Sequence, residues 1–231
     1  MCVICFKPLK ELLNLTFINC YGCPDLSIIP SDLVNLENLY CDRCPRLRNI
    51  PETLVKLVSL NCSDCPMLTC IPSTLVNLET LYCRNCPLLS IIPFSLINLQ
   101  NLDCDYCPIL TGISSIFIKL QRISCIGCPF ITSIPATLNK LESLWCVHCP
   151  RLFTIPSTLI NLSALWCGWY LYVPFNIRQK CKRKRTNKLS IFVSKLRKCR
   201  RRLQRKKMAL LLNEEMNIPR VLNDVICQYL F

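Results

Sequence analysis

The sequence predicts an α/β protein built as a solenoid, in which short units stack on one another and each unit contributes one strand to a sheet. Three observations support this prediction. Leucine recurs every 21 residues from Leu15 to Leu162, cysteine recurs at two fixed positions of each interval, and proline marks two further positions. A unit of this length cannot bury its own apolar face, so neighbouring units must stack to form a core.

Seven complete units and the start of an eighth follow the pattern L-x-x-L-x-C-x-x-C-P-x-L-x-x-I-P-x-x-L-x-N/K, which numbers the unit positions used below. The units begin at Leu15, Leu36, Leu57, Leu78, Leu99, Leu120, Leu141 and Leu162. Positions four and six are two apart, so a strand points both side chains to one face. Proline at positions ten and sixteen favours extended backbone or short 3₁₀ turns, because it fixes φ and lacks an N–H.

The pattern resembles the leucine-rich repeat family, L-x-x-L-x-L-x-x-N/C-x-L, in its short form with I/L-P in the second half. The resemblance covers residues 15–170, and this chain departs from it in having cysteine at position six and Ser114 in place of one proline. It implies a right-handed solenoid with a curved parallel β-sheet on the concave face and few or no convex helices. Residues 1–14 are expected to form a degenerate partial repeat, because Cys2 and Leu12 fall on positions nine and nineteen of an earlier unit.

The chain holds 21 cysteines, an odd number, behind an N-terminus whose apolar stretch is too short for a signal peptide. Both features favour free thiols in a reducing compartment. Cysteines of one column should lie about 4.8 Å apart on neighbouring strands, whereas zinc ligands need sulfurs about 3.8 Å apart. We therefore predict a ladder of packed thiols with no metal, no cofactor and no disulfide; the alternatives are that the C-x-x-C motif binds zinc or carries out redox chemistry.

Catalysis is not expected from this chain. Its single histidine, His148, leaves no evident base for a serine or cysteine nucleophile. Four glycines provide no phosphate-binding loop, and no apolar run is long enough to span a membrane. These features favour a soluble, monomeric, non-enzymatic protein-interaction module.

Side chains at positions three, five and seven are expected to face the concave surface. Position five is rich in aromatic residues and position seven carries charges, a combination typical of interface hot spots. The alternative is that aromatic residues simply suit exposed strand positions. If the face binds a partner protein or peptide, its acids would select a basic one, and the candidate contact residues are Tyr40, Tyr82, Asp103, Trp145, Trp166, Asp42, Arg84 and Asp105.

The net charge of +14 arises entirely from the end of the chain. Residues 15–170 hold 9 Lys/Arg against 10 Asp/Glu, whereas residues 171–231 hold 17 against 3. Apolar residues at three-and-four spacing from Leu189 predict a basic amphipathic α-helical tail over 171–213. The interpretations are polyanion binding (nucleic acid or anionic membrane), nuclear localisation, a calmodulin-type target, or a helix packed on the solenoid. The polyanion candidates are Lys182, Arg183, Lys184, Arg185, Arg200, Arg201 and Arg202.

Residues 214–231 resemble the first helix of an F-box, L-P-x-E-I/L-x-x-x-I-x-x-Y-L, and the PRANC ends of poxviral ankyrin-repeat proteins, with Val221 in place of the acid. The resemblance implies a substrate receptor of a cullin-type ubiquitin ligase; the alternative is a terminal helix that covers the solenoid edge. The candidate adaptor-binding residues are Ile218, Pro219, Leu222, Ile226 and Leu230. Repeats with C-x-x-C-P and a basic tail are also similar to proteins of giant DNA viruses, which implies a viral protein in the host cytoplasm or nucleus.

Overall fold

A single eight-stranded parallel sheet dominates the computed structural model, which describes residues 2–168 and 171–181. The strands pair in chain order, and the register places each unit position beside the same position of the next unit, as where Leu39 faces Leu60. The strands are β1 Phe17–Asn19, β2 Asn38–Tyr40, β3 Ser59–Asn61, β4 Thr80–Tyr82, β5 Asn101–Asp103, β6 Arg122–Ser124, β7 Ser143–Cys146 and β8 Ala164–Cys167.

The core is formed by the same seven positions of each unit: one, four, six, nine, twelve, fifteen and nineteen. In the second unit these residues are at most 4% exposed, and they are Leu36, Leu39, Cys41, Cys44, Leu47, Ile50 and Leu54. Only position four lies inside the three-residue strand, so most of the core is supplied by the connecting segments. The predicted packing of positions four, six and nine is confirmed, and the structure adds positions one, twelve, fifteen and nineteen to the core.

Turns, and no helices, make the corners between β1 and β8. In these turns an N–H donates to the carbonyl three residues earlier, as from Leu36 to Leu33 at 3.0 Å and from Leu47 to Cys44 at 3.2 Å. Parallel neighbours require each connection to cross over, and such crossovers are right-handed. The repeats thus form a right-handed solenoid with its sheet on the concave face and without convex helices, as the sequence predicted.

Position eight, between the two cysteines of each unit, adopts left-handed backbone in all seven complete units. The φ angles lie between 53° and 70° at Gly22, Arg43, Asp64, Asn85, Tyr106, Gly127 and His148. This single residue turns the chain after each strand, and the cysteines on both sides of it are buried. Five units accept a non-glycine residue there, although this conformation favours glycine.

Two short helices, α1 Val3–Phe6 and α2 Leu9–Leu12, precede the first strand. Cys2 and Leu12 are buried, and Val3 and Ile4 pack against the core of the repeats. Residues 2–14 therefore cover the N-terminal end of the solenoid with helical turns, and they add no strand to the sheet.

A third helix, α3 Phe175–Cys181, follows the last repeat. Ile177 and Cys181 are buried, and Asn176 Nδ2 donates to the carbonyl of Ser157 at 3.0 Å. Residues up to Cys181 form one compact unit with the repeats, so α3 covers their C-terminal end. Within the part of the chain described here, no helix has the length and apolar character needed to cross a bilayer.

Candidate functional site on the concave face

The concave face is the solvent-facing side of the sheet, formed by positions three and five. Position five forms one continuous column because the register is constant from strand to strand. Neighbouring members of such a column are about 4.8 Å apart. From β1 to β8 the column consists of Asn19, Tyr40, Asn61, Tyr82, Asp103, Ser124, Trp145 and Trp166.

The four predicted aromatic residues lie on this face. Tyr82 is 39% exposed and Trp166 is 50% exposed, whereas Tyr40 and Trp145 are half-buried. Trp145 and Trp166 are direct neighbours on the paired strands β7 and β8. The two tryptophans therefore form an aromatic surface at the C-terminal end of the face.

A second aromatic surface lies at the N-terminal end and includes a residue that the sequence did not single out. The ring of Phe17, at position three of β1, meets the ring of Tyr40 edge to face, with centroids 5.4 Å apart. This geometry is a favoured aromatic contact. Because positions three and five of adjacent strands are diagonal neighbours, the pair could have been predicted from the 21-residue register.

Asp105 differs from the other candidates, because its side chain is only 5% exposed. Its Oδ1 accepts hydrogen bonds from Ser124 Oγ at 2.6 Å and from the Ile126 N–H at 2.7 Å. Both donors belong to the next unit. The Asp105 carboxylate therefore joins the fifth unit to the sixth and offers little surface to a partner.

Asp103 lies at the centre of the face and is half-buried. Burial raises the pKa of its carboxyl, and the nearby Asp105 carboxylate raises it further. A hydrogen bond from the Asp105 N–H, 3.1 Å from Asp103 Oδ1, and the positive charge of Arg84 act in the opposite direction. Burial likewise raises the pKa of Asp42. A cation that approached either acid would favour its ionised form.

Arginine side chains stack on aromatic rings beside this face. The Arg84 guanidinium lies 5.2 Å from the ring centroid of Tyr106, and that of Arg43 lies 5.3 Å from the ring of Tyr21. Arg43 also donates to the Tyr21 hydroxyl at 2.6 Å and approaches Asp64 at 3.6 Å. Arg84 was predicted as a contact residue, whereas its partnership with Tyr106 depends on the fold.

The cysteines of the repeats are packed and hydrogen-bonded. From the second unit to the seventh, each thiol at position nine donates to the position-six carbonyl of the preceding unit, as from Cys65 to Cys41 at 3.2 Å. Thiols at position six donate to the following unit, as from Cys41 to the Asn61 carbonyl at 3.4 Å. Burial raises the pKa of Cys65 to about 12, so its nucleophilic thiolate form is suppressed.

The remaining polar features do not assemble a catalytic site among residues 2–168 and 171–181. His148 is exposed in the left-handed turn at position eight. In this part of the chain, no buried side-chain nitrogen or oxygen lacks a hydrogen-bond partner. Every candidate residue of the basic tail and of the F-box-like end, from Lys182 onward, lies outside the described residues.

A family profile described as Leucine Rich Repeat matches residues 77–99, which span the fourth unit. The leucine-rich repeat domain of the type III effector XopL superposes with a TM-score of 0.60 and 19% sequence identity, and the match covers 74% of this chain and 68% of that domain. A leucine-rich repeat protein of Leptospira interrogans superposes with a TM-score of 0.53 and 21% identity over 67% of this chain.

These matches define the class of fold: the chain has the fold of a leucine-rich repeat solenoid. It spans less than half of the Leptospira protein, since the match covers 44% of that chain. No curated protein matches the sequence at a significant level. The function is therefore inferred from the concave face of this chain.

Proposed function

We propose that this protein is a non-enzymatic, monomeric interaction module that binds an extended segment of a partner protein along the concave face. The observation that carries the proposal is the continuous column at position five, with exposed aromatic surface at both ends and Tyr82 between them. Aromatic side chains supply large contact area at low entropic cost, and they dominate binding energy at interfaces. An extended peptide laid across the column would meet these side chains in turn.

The electrostatics of the face favour a partner segment that carries basic residues. Asp103 sits between Tyr82 and Ser124 in the column, and the pKa of its carboxyl is raised by burial. A lysine or arginine of the partner would offset the cost of keeping this carboxylate ionised. We therefore expect binding to weaken when salt is added and when Asp103 is replaced by asparagine.

Affinity purification followed by mass spectrometry tests this function. The full chain is compared with a variant in which Tyr40, Tyr82 and Trp145 are all replaced by alanine. A matched control has alanine in place of Val55, Val76 and Ile97. These three residues are exposed at position twenty, away from the concave face. We expect the partner to be lost from the concave variant and retained by the control.

Retention of the same partners by the concave variant, at wild-type yield, would contradict the proposal. Far-UV circular dichroism of both variants shows whether the repeats remain folded. Size-exclusion chromatography with light scattering measures the mass of the free chain, and a mass of two or more chains would contradict the monomer.

A second proposal concerns the F-box-like segment 214–231, which lies outside the described residues. Its motif supports a role as the adaptor-binding element of a cullin-type ubiquitin ligase, with the concave face holding the substrate. Deletion of residues 214–231 should then abolish capture of a ligase adaptor while leaving the concave-face partner bound. Unchanged capture of the adaptor would eliminate this role.

A third proposal concerns the basic segment 178–207, which carries 16 Lys/Arg and no acid, and most of which lies outside the described residues. This composition supports sequence-independent binding to nucleic acid or to an anionic membrane. Full-length protein with Lys182 to Arg185 changed to glutamine should bind an anionic polymer more weakly. Binding that does not change across a salt series would contradict a polyanion role.

A further inference from the structure

Three thiols at the N-terminal end of the solenoid depart from the ladder arrangement. Cys2 Sγ lies 3.6 Å from Cys5 Sγ, and Cys5 Sγ lies 3.6 Å from Cys23 Sγ. All three sulfurs lie within 4.8 Å of one another, and no other His, Cys, Asp or Glu side chains of residues 2–168 and 171–181 form such a group.

The cluster forms where the first repeat packs against the helical residues 2–14, whereas later repeats pack against another repeat. In later units the thiol at position nine donates to a position-six carbonyl of the preceding unit, as Cys44 does to Cys20 at 3.2 Å. Cys23 occupies position nine of the first unit, and its neighbours are the thiols of Cys2 and Cys5, at the start and within α1. Thiols therefore meet thiols here, where elsewhere they meet carbonyl groups.

We propose that the thiolates of Cys2, Cys5 and Cys23 bind one Zn²⁺ ion. Tetrahedral zinc with bonds of about 2.3 Å to sulfur places its ligands about 3.8 Å apart, which matches the two distances of 3.6 Å. Sulfur ligands favour zinc over magnesium or calcium, which prefer oxygen.

This site would fasten α1 to the first repeat. Two ligands come from the helical segment and one, Cys23, from the first cysteine turn, so the ion would join two elements that meet only at this end. Terminal units of a solenoid lack one stacking neighbour and need capping. Zinc would thus stabilise the N-terminal end of the repeats, and its binding would be coupled to the folding of residues 2–14.

Zinc content of the purified full-length chain tests the proposal. The protein is produced with zinc under reducing conditions, desalted, and measured by inductively coupled plasma mass spectrometry. We expect about one zinc per chain, and exchange for Co²⁺ should give the absorption bands of a tetrahedral cobalt thiolate. Less than about a tenth of an equivalent of zinc would overturn the proposal.

Cys5→Ser is the most informative variant, because Cys5 is exposed and the core does not depend on it. We expect Cys5→Ser to bind zinc at least tenfold more weakly, with Cys23→Ser as a second variant from the other side of the site. Cys70→Ser is the matched control, since Cys70 is exposed and lies far along the chain in the third unit. Zinc retained at wild-type affinity by both Cys5→Ser and Cys23→Ser would assign it to other residues and overturn the proposal.

Alkylation provides a readout that does not require a change in sequence. N-ethylmaleimide should modify Cys70 in both the zinc-bound and the zinc-free protein. It should modify Cys5 only after zinc has been removed with a chelator. Equal modification of Cys5 before and after chelation would contradict zinc ligation. A disulfide between Cys5 and either Cys2 or Cys23, in protein purified under reducing conditions, would also contradict zinc ligation.

Discussion

At the scale of single residues, position eight shows what the turn between the two cysteines demands. Glycine occupies it in the first and sixth units, and larger residues occupy it in the other five complete units. Left-handed backbone costs a residue with a Cβ about 1–2 kcal/mol, although asparagine and aspartate tolerate it better. The repeat accepts this cost because the turn allows both flanking cysteines to be buried.

Alanine substitution of three glycines separates backbone strain from crowding. Gly112→Ala should change the free energy of unfolding by less than about 0.5 kcal/mol, because nothing lies within 4 Å of its added Cβ and its φ is not positive. Gly22→Ala should destabilise by about 1 kcal/mol through its φ of +64° alone. Gly127→Ala should destabilise more, because its Cβ would lie 2.7 Å from Tyr106 Cδ1.

Urea denaturation of the full chain, followed by circular dichroism, measures this series. A ranking in which Gly112→Ala is the most destabilising of the three would contradict the role of the left-handed turn. Equal effects at Gly22 and Gly127 would mean that the Tyr106 ring moves aside without cost.

Asp103 is expected to destabilise the folded chain at neutral pH. Its pKa is raised by burial, so the folded state disfavours the ionised carboxylate relative to the unfolded state. This cost is fully present above the pKa that Asp103 has in the folded chain. It disappears as the pH falls through that pKa towards the ordinary pKa of an aspartate. Asp103→Asn should therefore stabilise the protein at pH 7, by on the order of 0.5 kcal/mol after allowance for solvent screening.

The measurement is the difference in unfolding free energy between Asp103→Asn and wild type from pH 7 down to pH 3. We expect the difference to shrink as the pH falls. Asp64→Asn is a useful comparison, because the Asp64 carboxylate is 3.6 Å from Arg43 and accepts from Asn85 at 2.8 Å. A gain from Asp103→Asn that is constant across this range would show that the carboxyl does not titrate as its burial implies.

At the scale of the repeated element, side chains satisfy the backbone of neighbouring turns. Thr74 Oγ1 donates to the Glu52 carbonyl at 2.6 Å, and Asn77 Nδ2 donates to the Val55 carbonyl at 3.0 Å. Cysteine at position nine does the same inside the core. These groups explain why threonine or serine recurs at position eighteen and asparagine at position twenty-one: the carbonyl groups of a helix-free corner need donors.

The ladder thiols should contribute to stability through packing and through these hydrogen bonds. Cys65→Ala removes the donor to the Cys41 carbonyl and leaves a small cavity at a side chain that is 0% exposed. We expect a loss of about 1–3 kcal/mol. Cys70→Ala, at an exposed thiol in the same unit, should change the free energy of unfolding by less than about 0.5 kcal/mol.

Thermal and urea unfolding of the two alanine variants provides the measurement. Both substitutions remove the same atoms within the third unit, so their difference isolates the buried position. If Cys65→Ala were as stable as Cys70→Ala, the ladder would be a by-product of composition without energetic weight. The Cys65→Ala variant should also keep the zinc content of the wild-type protein. The proposed metal site lies at α1 and the first unit, whereas Cys65 lies in the third unit.

At the scale of the whole molecule, stability depends on stacking between neighbours and on the two covered ends. In such a solenoid each unit contacts only the next, so damage at one end should remain near that end. At the C-terminal end the cover is α3, through Ile177 and Cys181. Main-chain hydrogen bonds between Tyr172 and both Phe153 and Ile155 lead the chain into it.

Ile177→Asp tests this description by placing an unpaired charge where a side chain is 1% exposed. Hydrogen exchange monitored by mass spectrometry should show lost protection in residues 150–181, with protection near β3 and β4 unchanged. Gln179→Asp, an exposed change on the same helix, should leave the whole pattern as in the wild type. Uniform loss of protection across the repeats in Ile177→Asp would indicate one cooperative unit instead.

The sequence by itself determined the solenoid, the strand position in each unit and the packing of positions four, six and nine. It could do so because the pattern is local and repeats at a fixed period, so every interior unit meets an identical neighbour. The same register placed Tyr40, Tyr82, Trp145 and Trp166 in one column. The pattern alone could not show what fraction of each side chain is exposed to solvent.

Only the tertiary structure decided which polar groups are already engaged and what happens at the ends. Asp105 has the same position in its unit as Arg84, yet its carboxylate is held by the next unit, because Ser124 and the Ile126 N–H happen to meet it. At the N-terminus, Cys2 and Cys5 form a C-x-x-C that is out of the 21-residue register of the repeats. Their thiols and that of Cys23 form one cluster because the first unit packs against the helical residues 2–14 in place of another repeat, and this packing is a property of the folded chain.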